Sequence, residues 1–145
     1  MAEQRKLIML PSDILSIKNS FEESIGVGVI GALRRAGKHS AQHYSDIIIA
    51  KGLKGEEALK ELTKMLEESG WFRASWEFNR RGEIGVRIYK SFESAAGNRR
   101  DGNCHFISGF LEEAVERLMN WENIYCQEMR CIARGDEFCE FLILR

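Results

Sequence analysis

The hydrophobic period changes abruptly near residue 71, and only a fold that mixes helices with a sheet accommodates both sides of that change. Before it, "GEEALKELTKMLEESG" (55–70) has acids in its first turn, Leu59, Leu62 and Leu66 on one stripe, and a terminal glycine, which together predict a helix. After it, "WFRASWEF" puts Phe72, Ala74, Trp76 and Phe78 on one face and Arg73, Ser75 and Glu77 on the other. "NRRGE" is a turn, and "IGVRIYK" alternates again through Ile84, Val86 and Ile88. The pair reads as a hairpin with one strongly apolar face.

The remaining segments follow the same logic. "RKLIML" (5–10) is short and apolar, the form of a first strand, and Pro11-Ser12-Asp13 reads as a helix start with Ser12 as N-cap. Ile14, Ile17, Lys18 and Phe21 follow at helical spacing, and a longer helix is expected from about Val27 to Lys51. "SAAGNRRDGN" (94–103) is a loop, and residues 104–119 return to helical spacing through Ile107, Leu111, Ala114 and Leu118. Strands over 122–132 and 137–144 close the chain. Strand, helices, two strands, helix, two strands predicts an α+β fold: an antiparallel sheet of four to five strands packed against several α-helices.

The 145 residues are read as one domain, residues 1–145, long enough to bury a core without disulfide staples. A net charge of -1 gives no global electrostatic case for nucleic acid. The N-terminal apolar run ends at Pro11, too short for a signal peptide or a membrane span, so a cytoplasmic protein with reduced thiols is expected.

In such a setting the thiols need an explanation, because "CQEMRCIARGDEFC" (126–139) holds three of the four cysteines. Arg134-Gly135-Asp136 is the only turn signal between the last two strands, and a three-residue loop there would set Cys131 directly opposite Cys139. Such thiols could share a metal, form a cross-strand disulfide, or simply pack. A closed zinc site needs four ligands. Cys104 is one candidate, since it follows Asn103, an N-cap residue, and the positive end of a helix dipole favours thiolate. Glu128 is the other, although its odd spacing from Cys131 requires a bulge or a strand end between them. His105 and Cys126 are fallback ligands. On the residues alone, zinc, buried thiols and a disulfide all stay open.

The C-terminal half resembles the 4-vinyl-reductase domain family. The family pattern is a Cys, a glycine-containing helix, then Glu-x-x-Cys-x-x-x-Gly-Asp-x-x-Cys-x-Phe; this chain has Cys104, Gly109 and "EMRCIARGDEFCEF" (128–141). The match is specific over about 104–142 and weaker from about residue 20 onward. The family includes the sensor domains of phenol-responsive bacterial transcription activators and is similar to subunits of the TRAPP vesicle-tethering complex. The resemblance implies the ligand-binding fold of the NO-signalling and Golgi-transport type, a structural zinc on Cys104, Glu128, Cys131 and Cys139, and an apolar or aromatic small molecule as ligand. It further implies a homodimer that senses or carries its ligand without catalysis and works with a separate regulatory protein. Alternatives that it leaves are a reductase or accessory in tetrapyrrole vinyl-group metabolism, and an assembly module like the TRAPP subunits. The acylated cysteine of the latter has no counterpart here, because all four cysteines lie at or after residue 104.

Other features carry less. "GVGVIG" (26–31) matches G-x-G-x-x-G but follows a helix rather than a strand, which argues against a dinucleotide site. His39 and His43 have the spacing of a metal pair without a carboxylate partner in register. No nucleophile elbow or other catalytic constellation is present. Aromatic residues are dense after residue 70, and the resemblance implies that Trp76, Phe78, Phe106 and Phe110 line a cavity between sheet and helices, with His43 and Tyr44 as its polar group.

Overall fold

The computed structural model describes residues 7–79, 81–94 and 104–145. Three helices come first: α1 (Pro11–Ile25), α2 (Gly28–Ala50) and α3 (Gly55–Glu68). The hairpin β1 (Arg73–Asn79) and β2 (Glu83–Tyr89), helix α4 (His105–Met119), and strands β3 (Tyr125–Arg130) and β4 (Cys139–Leu144) follow. The sheet is antiparallel with strand order β1-β2-β4-β3, and the fold is α+β as expected. Alternation dictates its faces: Ile84, Val86 and Ile88 of β2 and Cys139, Phe141 and Ile143 of β4 are buried beneath the helices.

Helix α4 is the buried axis of the molecule. Ile107, Phe110, Leu111, Ala114, Val115 and Leu118 are all sealed from solvent, with α2 crossing one side and the sheet and α3 on others. The α2–α4 crossing is a backbone-to-backbone contact. A Cβ built on Gly37 would lie 2.0 Å from the Phe106 carbonyl oxygen, and one on Gly109 would lie 2.1 Å from that of Arg34. Only glycine fits at either position.

Four expectations are corrected. Residues 7–10 form no strand, and residues 5 and 6 lie outside the described set. Both edges of the sheet are made by other strands, so Leu7 and Ile8 stay exposed beside α1. Ser12 is not the N-cap: Pro11 occupies the first helical position, Leu10 precedes it, and the Asp13 carboxylate accepts the Leu10 N–H at 2.9 Å. The final connection is longer than a three-residue loop, although Arg130 pairs with Glu140 and Cys131 does come beside Cys139, their sulfurs 4.0 Å apart. Cys139 pairs with Ile88 of β2, while residues 131–138 run through a 3₁₀ turn, Ile132–Arg134. The Cys131 N–H donates to the Asp136 carboxylate at 2.9 Å and Gly135 takes a φ of 102°, which closes this longer turn. Finally, Cys104 itself is the N-cap residue of α4, while Asn103 lies outside the described residues. Of the glycines of "GVGVIG", Gly26 makes the bend after α1 with φ 58°, while Gly28 opens α2 and Gly31 lies within it.

Gly109→Ala is expected to cost about 3 kcal/mol or more, because backbone, not a flexible side chain, blocks the added methyl. Gly31→Ala, whose methyl would meet open space in the exposed face of α2, should be neutral or stabilising by up to about 1 kcal/mol. Paired thermal melts of the two variants check both signs.

Candidate functional site

Two features meet at the first turn of α4. The first is a four-residue cluster. Cys104 precedes α4, Glu128 lies in β3, Cys131 follows β3 and Cys139 opens β4. Their ligand atoms all lie within 4.8 Å of one another, and the three cysteines are buried. The sulfurs are 3.8 Å (104–139), 3.9 Å (104–131) and 4.0 Å (131–139) apart. Sulfurs about 2.3 Å from a tetrahedral centre would be about 3.8 Å apart. All four cysteines of the chain are free thiols, so no cross-strand disulfide is formed. The required irregularity between Glu128 and Cys131 is present as a register shift between Glu128 and Arg130, which turns Cys131 toward Glu128. Glu128 also accepts the Cys104 N–H at 3.2 Å.

Protonation within this cluster follows from burial and crowding. Hydrogen bonds from Cys131 and Cys139, together with burial, push the Cys104 thiol far up. Cys139 is pushed up to about 11, as Cys131 and burial outweigh the lowering effect of Cys104. Burial first, and then the neighbouring Cys131, push Glu128 up to about 7. The cluster without a cation therefore holds protons, and any metal that enters must displace them. Three sulfurs and one carboxylate suit a thiolate-favouring divalent ion and fill a tetrahedron.

The second feature is a cavity of about 390 Å³ that reaches the same helix turn at Phe106. Its walls are the Leu7–Pro11 segment, α1 through Ile14, Ile17 and Phe21, α2 through Leu33, and the aromatic residues Trp71, Phe92 and Phe106. Trp71 is the hub of an aromatic cluster, with Phe92 and Phe110 at 5.3 Å, Tyr44 at 5.4 Å and Phe106 at 5.9 Å between ring centroids. Two charged residues line this wall, Lys18 and Glu93, and they pair at 3.2 Å.

The structure brings the four candidate ligands together and scatters the candidate lining residues. Phe106 borders the cavity. Phe110 is sealed in the core behind Trp71, and Tyr44 packs edge-on to both. His43 is exposed and touches the Tyr44 ring. Trp76 and Phe78 stack on each other at 5.8 Å under α3, where the Trp76 indole N–H donates to the Thr63 hydroxyl. Of the fallback residues, Cys126 is buried, stands outside the cluster and donates its N–H to Glu112 at 3.0 Å; His105 borders a small polar recess beside Glu128. His39 is exposed. Sequence reasoning missed the α1 wall and the Lys18–Glu93 pair. The signal for them was Lys18 itself, a charge standing on the apolar stripe with Ile14, Ile17 and Phe21.

Glu112 secures the scaffold around both features. It receives Arg34 and Lys38 from α2, each at 2.8 Å, as well as the Cys126 N–H. Burial acts to raise its carboxyl, but Lys38, the Cys126 amide and Arg34 together outweigh burial and hold it below the usual range. A carboxyl depressed in the folded state stabilises the fold above its unfolded pKa and loses that contribution as pH falls through the folded value. Glu112→Gln is thus expected to cost about 2 kcal/mol at pH 7, with the gap to the parent shrinking as the pH falls below about 4. Urea melts of both proteins across pH 3–7 measure it.

Comparison with known proteins places the fold. Residues 84–145 match the 4-vinyl-reductase domain family, a span that includes all four cluster residues. No curated protein matches the sequence. Among solved structures, the phenol-responsive sensory domain of the transcription activator PoxR, crystallised with phenol, is similar at 18% identity and a TM-score of 0.76, covering 98% of this chain and 77% of its own. A vinyl-4-reductase family protein from Methanocaldococcus jannaschii is similar at 16% identity and TM-score 0.62, covering 97% and 83%. Trafficking protein particle complex subunit 3 from Naegleria fowleri, covalently bound to palmitic acid, is similar at 12% identity and TM-score 0.69, covering 92% and 91%. At these identities the likeness is one of fold. Among the described residues, no helix is long and apolar enough to cross a membrane.

Proposed function

We propose that residues 1–145 act as one ligand-binding domain, a cytoplasmic sensor or carrier of an apolar small molecule, braced by a structural zinc. The observation that carries this reading is that a largely apolar cavity and a four-ligand cluster both adjoin the first turn of α4. The cavity falls within the roughly 300–1,000 Å³ typical of small-molecule pockets, and its lining is mostly aliphatic and aromatic. The phenol-bound PoxR sensory domain supports a small aromatic molecule as the kind of ligand to test.

Cys104, Glu128, Cys131 and Cys139 would hold the zinc, and four protein ligands leave it no position for substrate or water. Its part is to tie the start of α4 to the ends of β3 and β4. The cavity residues enclose the ligand and exclude water from it. Apolar side chains exposed on α1 and at the start of α2, among them Phe21, Ile25, Val27 and Ile30, support a homodimer through that face. Signalling would then pass to a separate regulatory protein. A TRAPP-like role with an acylated cysteine has little support, since all four thiols are buried at or beyond residue 104.

Native mass spectrometry of protein purified without added metal or chelator should give a dimer with one zinc-sized increment per chain. Bare chains with four free thiols would reduce the cluster to packing. Cys131→Ser should abolish metal binding and lower the melting temperature by about 10 °C or more, whereas Cys126→Ser keeps the metal. Because Glu128 is pushed up to about 7 and the cluster thiols are raised as well, protons compete with the metal at neutral pH. Zinc affinity should therefore rise with pH and fall steeply as pH drops from 8 to about 6, as read by competition with a chromogenic chelator.

A further inference from the structure

Helix α1 carries an apolar stripe that it does not bury. Among its residues Lys18 alone is buried, Ile14, Leu15 and Asn19 are half-buried, and Ile17, Phe21 and Ile25 stay 43%, 49% and 51% exposed. Ile14, Ile17 and Phe21 line the cavity, whose lining on the body of the molecule includes Trp71, Phe92 and Phe106. Area removed from water is what seats a surface helix, and α1 removes little. Of the helices and strands, α2 is its main neighbour.

Two points locate this helix. One is Gly26, the link to α2, at φ 58° and ψ −133°, a combination closed to residues with a side chain. A Cβ there would have nothing within 4 Å, and Val27 beside it is 90% exposed, so side-chain packing does not restrain rotation at the link. The other is the Lys18–Glu93 pair at 3.2 Å, in which Glu93 is anchored by the N–H groups of Phe106 and Ile107 at the start of α4. A buried ion pair recovers little more than the desolvation it costs, so it sets where α1 lies rather than holding it tightly.

We propose that α1, with the Leu7–Pro11 segment, is a lid on the cavity: it swings at Gly26, is located by the Lys18–Glu93 pair, and is fastened by the ligand. The inference rests on the cavity being a ligand site and names how that site is regulated. An apolar molecule lying between Ile17 and Phe21 of the lid and Trp71 and Phe106 of the body gives both walls a surface to bury. Such a molecule makes both sets of contacts only with the lid closed, so its binding shifts the lid toward closure by mass action. Occupancy of the cavity is thereby converted into the order of α1, a form that a partner protein can read.

Hydrogen exchange of the full chain at pH 7, resolved by peptide, tests the lid, with phenol, 4-ethylphenol and 2-naphthol as probes. The amides of α1 are expected to exchange at least about 100-fold faster than those of α4, as a separate opening unit. A probe that binds by isothermal titration, supplied at about ten times its Kd, should slow α1 about tenfold and leave α4 unchanged. Glu93→Gln, which removes the ion pair and keeps the shape, should speed α1 exchange without moving α4; Lys18→Gln supplies the same comparison if the first variant does not fold. Exchange of α1 at the rate of α4, or a bound probe that leaves α1 exchange as it was, overturns the lid and leaves the cavity reading intact. An α1 rate unmoved by loss of the ion pair overturns the latch. Failure of all three probes to bind overturns the ligand site and the fastening step together.

Discussion

Everything in this molecule is hung on the contact between α2 and α4 at Gly37 and Gly109. With no side chain at either position, the two backbones touch, and a methyl on either would collide with a carbonyl oxygen of the other helix. This proximity lets Arg34 and Lys38, one turn apart on α2, converge on the single Glu112 carboxylate of α4. Glu112 in turn accepts the Cys126 N–H and so sets where β3 begins. Close helix packing, a half-buried charge cluster and the register of an edge strand are consequences of two missing Cβ atoms.

The crossing also fixes where the first turn of α4 lies, and that turn is the junction of the two sites. Two acids converge there, the buried Glu93 and the half-buried Glu128. Glu128 accepts the Cys104 N–H from the cluster side, and Glu93 accepts those of Phe106 and Ile107 from the cavity side. A helix N-terminus has unpaired N–H donors and a positive dipole end, so it tolerates two carboxylates that burial alone would drive toward the neutral form. Burial does raise both Glu93 and Glu128. The residue next to Glu93 completes the bridge, since the Ser94 hydroxyl lies 3.5 Å from the Cys139 sulfur. Two consecutive residues thus touch both features, Glu93 in the cavity wall and Ser94 against a sulfur of the cluster.

What could be read from the sequence follows from which forces act locally. Period and punctuation located α2, α3, the hairpin and α4 to within a residue or two, because each side chain's burial there follows from its own spacing. The convergence of Cys104, Glu128, Cys131 and Cys139 was legible through the motif, and the bulge that it demanded is present. The path of residues 131–138 was not, because an Asp136 side chain closes the turn and no periodicity reports that. Nor was the neighbourhood of the aromatics. Alternation says that Trp76 and Phe78 face inward, but whether they meet a cavity or a helix depends on where α3 lies, and α3 covers them. The apolar run at residues 7–10 was misread because a strand needs an edge to pair with, and composition says nothing about free edges.

The two halves of the chain divide the work unequally. The segment that matches the 4-vinyl-reductase domain family, residues 84–145, contains the four cluster residues, Gly109, Glu112 and Glu93. Most of the cavity wall lies outside it: the Leu7–Pro11 segment, Lys18 and Phe21 of α1, Leu33 of α2 and Trp71. On the reading proposed above, such a segment is a frame that would set where a ligand lies, against the end of α4, without setting what the ligand is. The side chains of α1 and α2 that complete the wall reach the frame through the helix crossing and through the ion pairs of Lys18 with Glu93 and of Arg34 and Lys38 with Glu112. Family likeness in such a molecule therefore speaks for the frame, while most of the cavity wall lies beyond the matched segment.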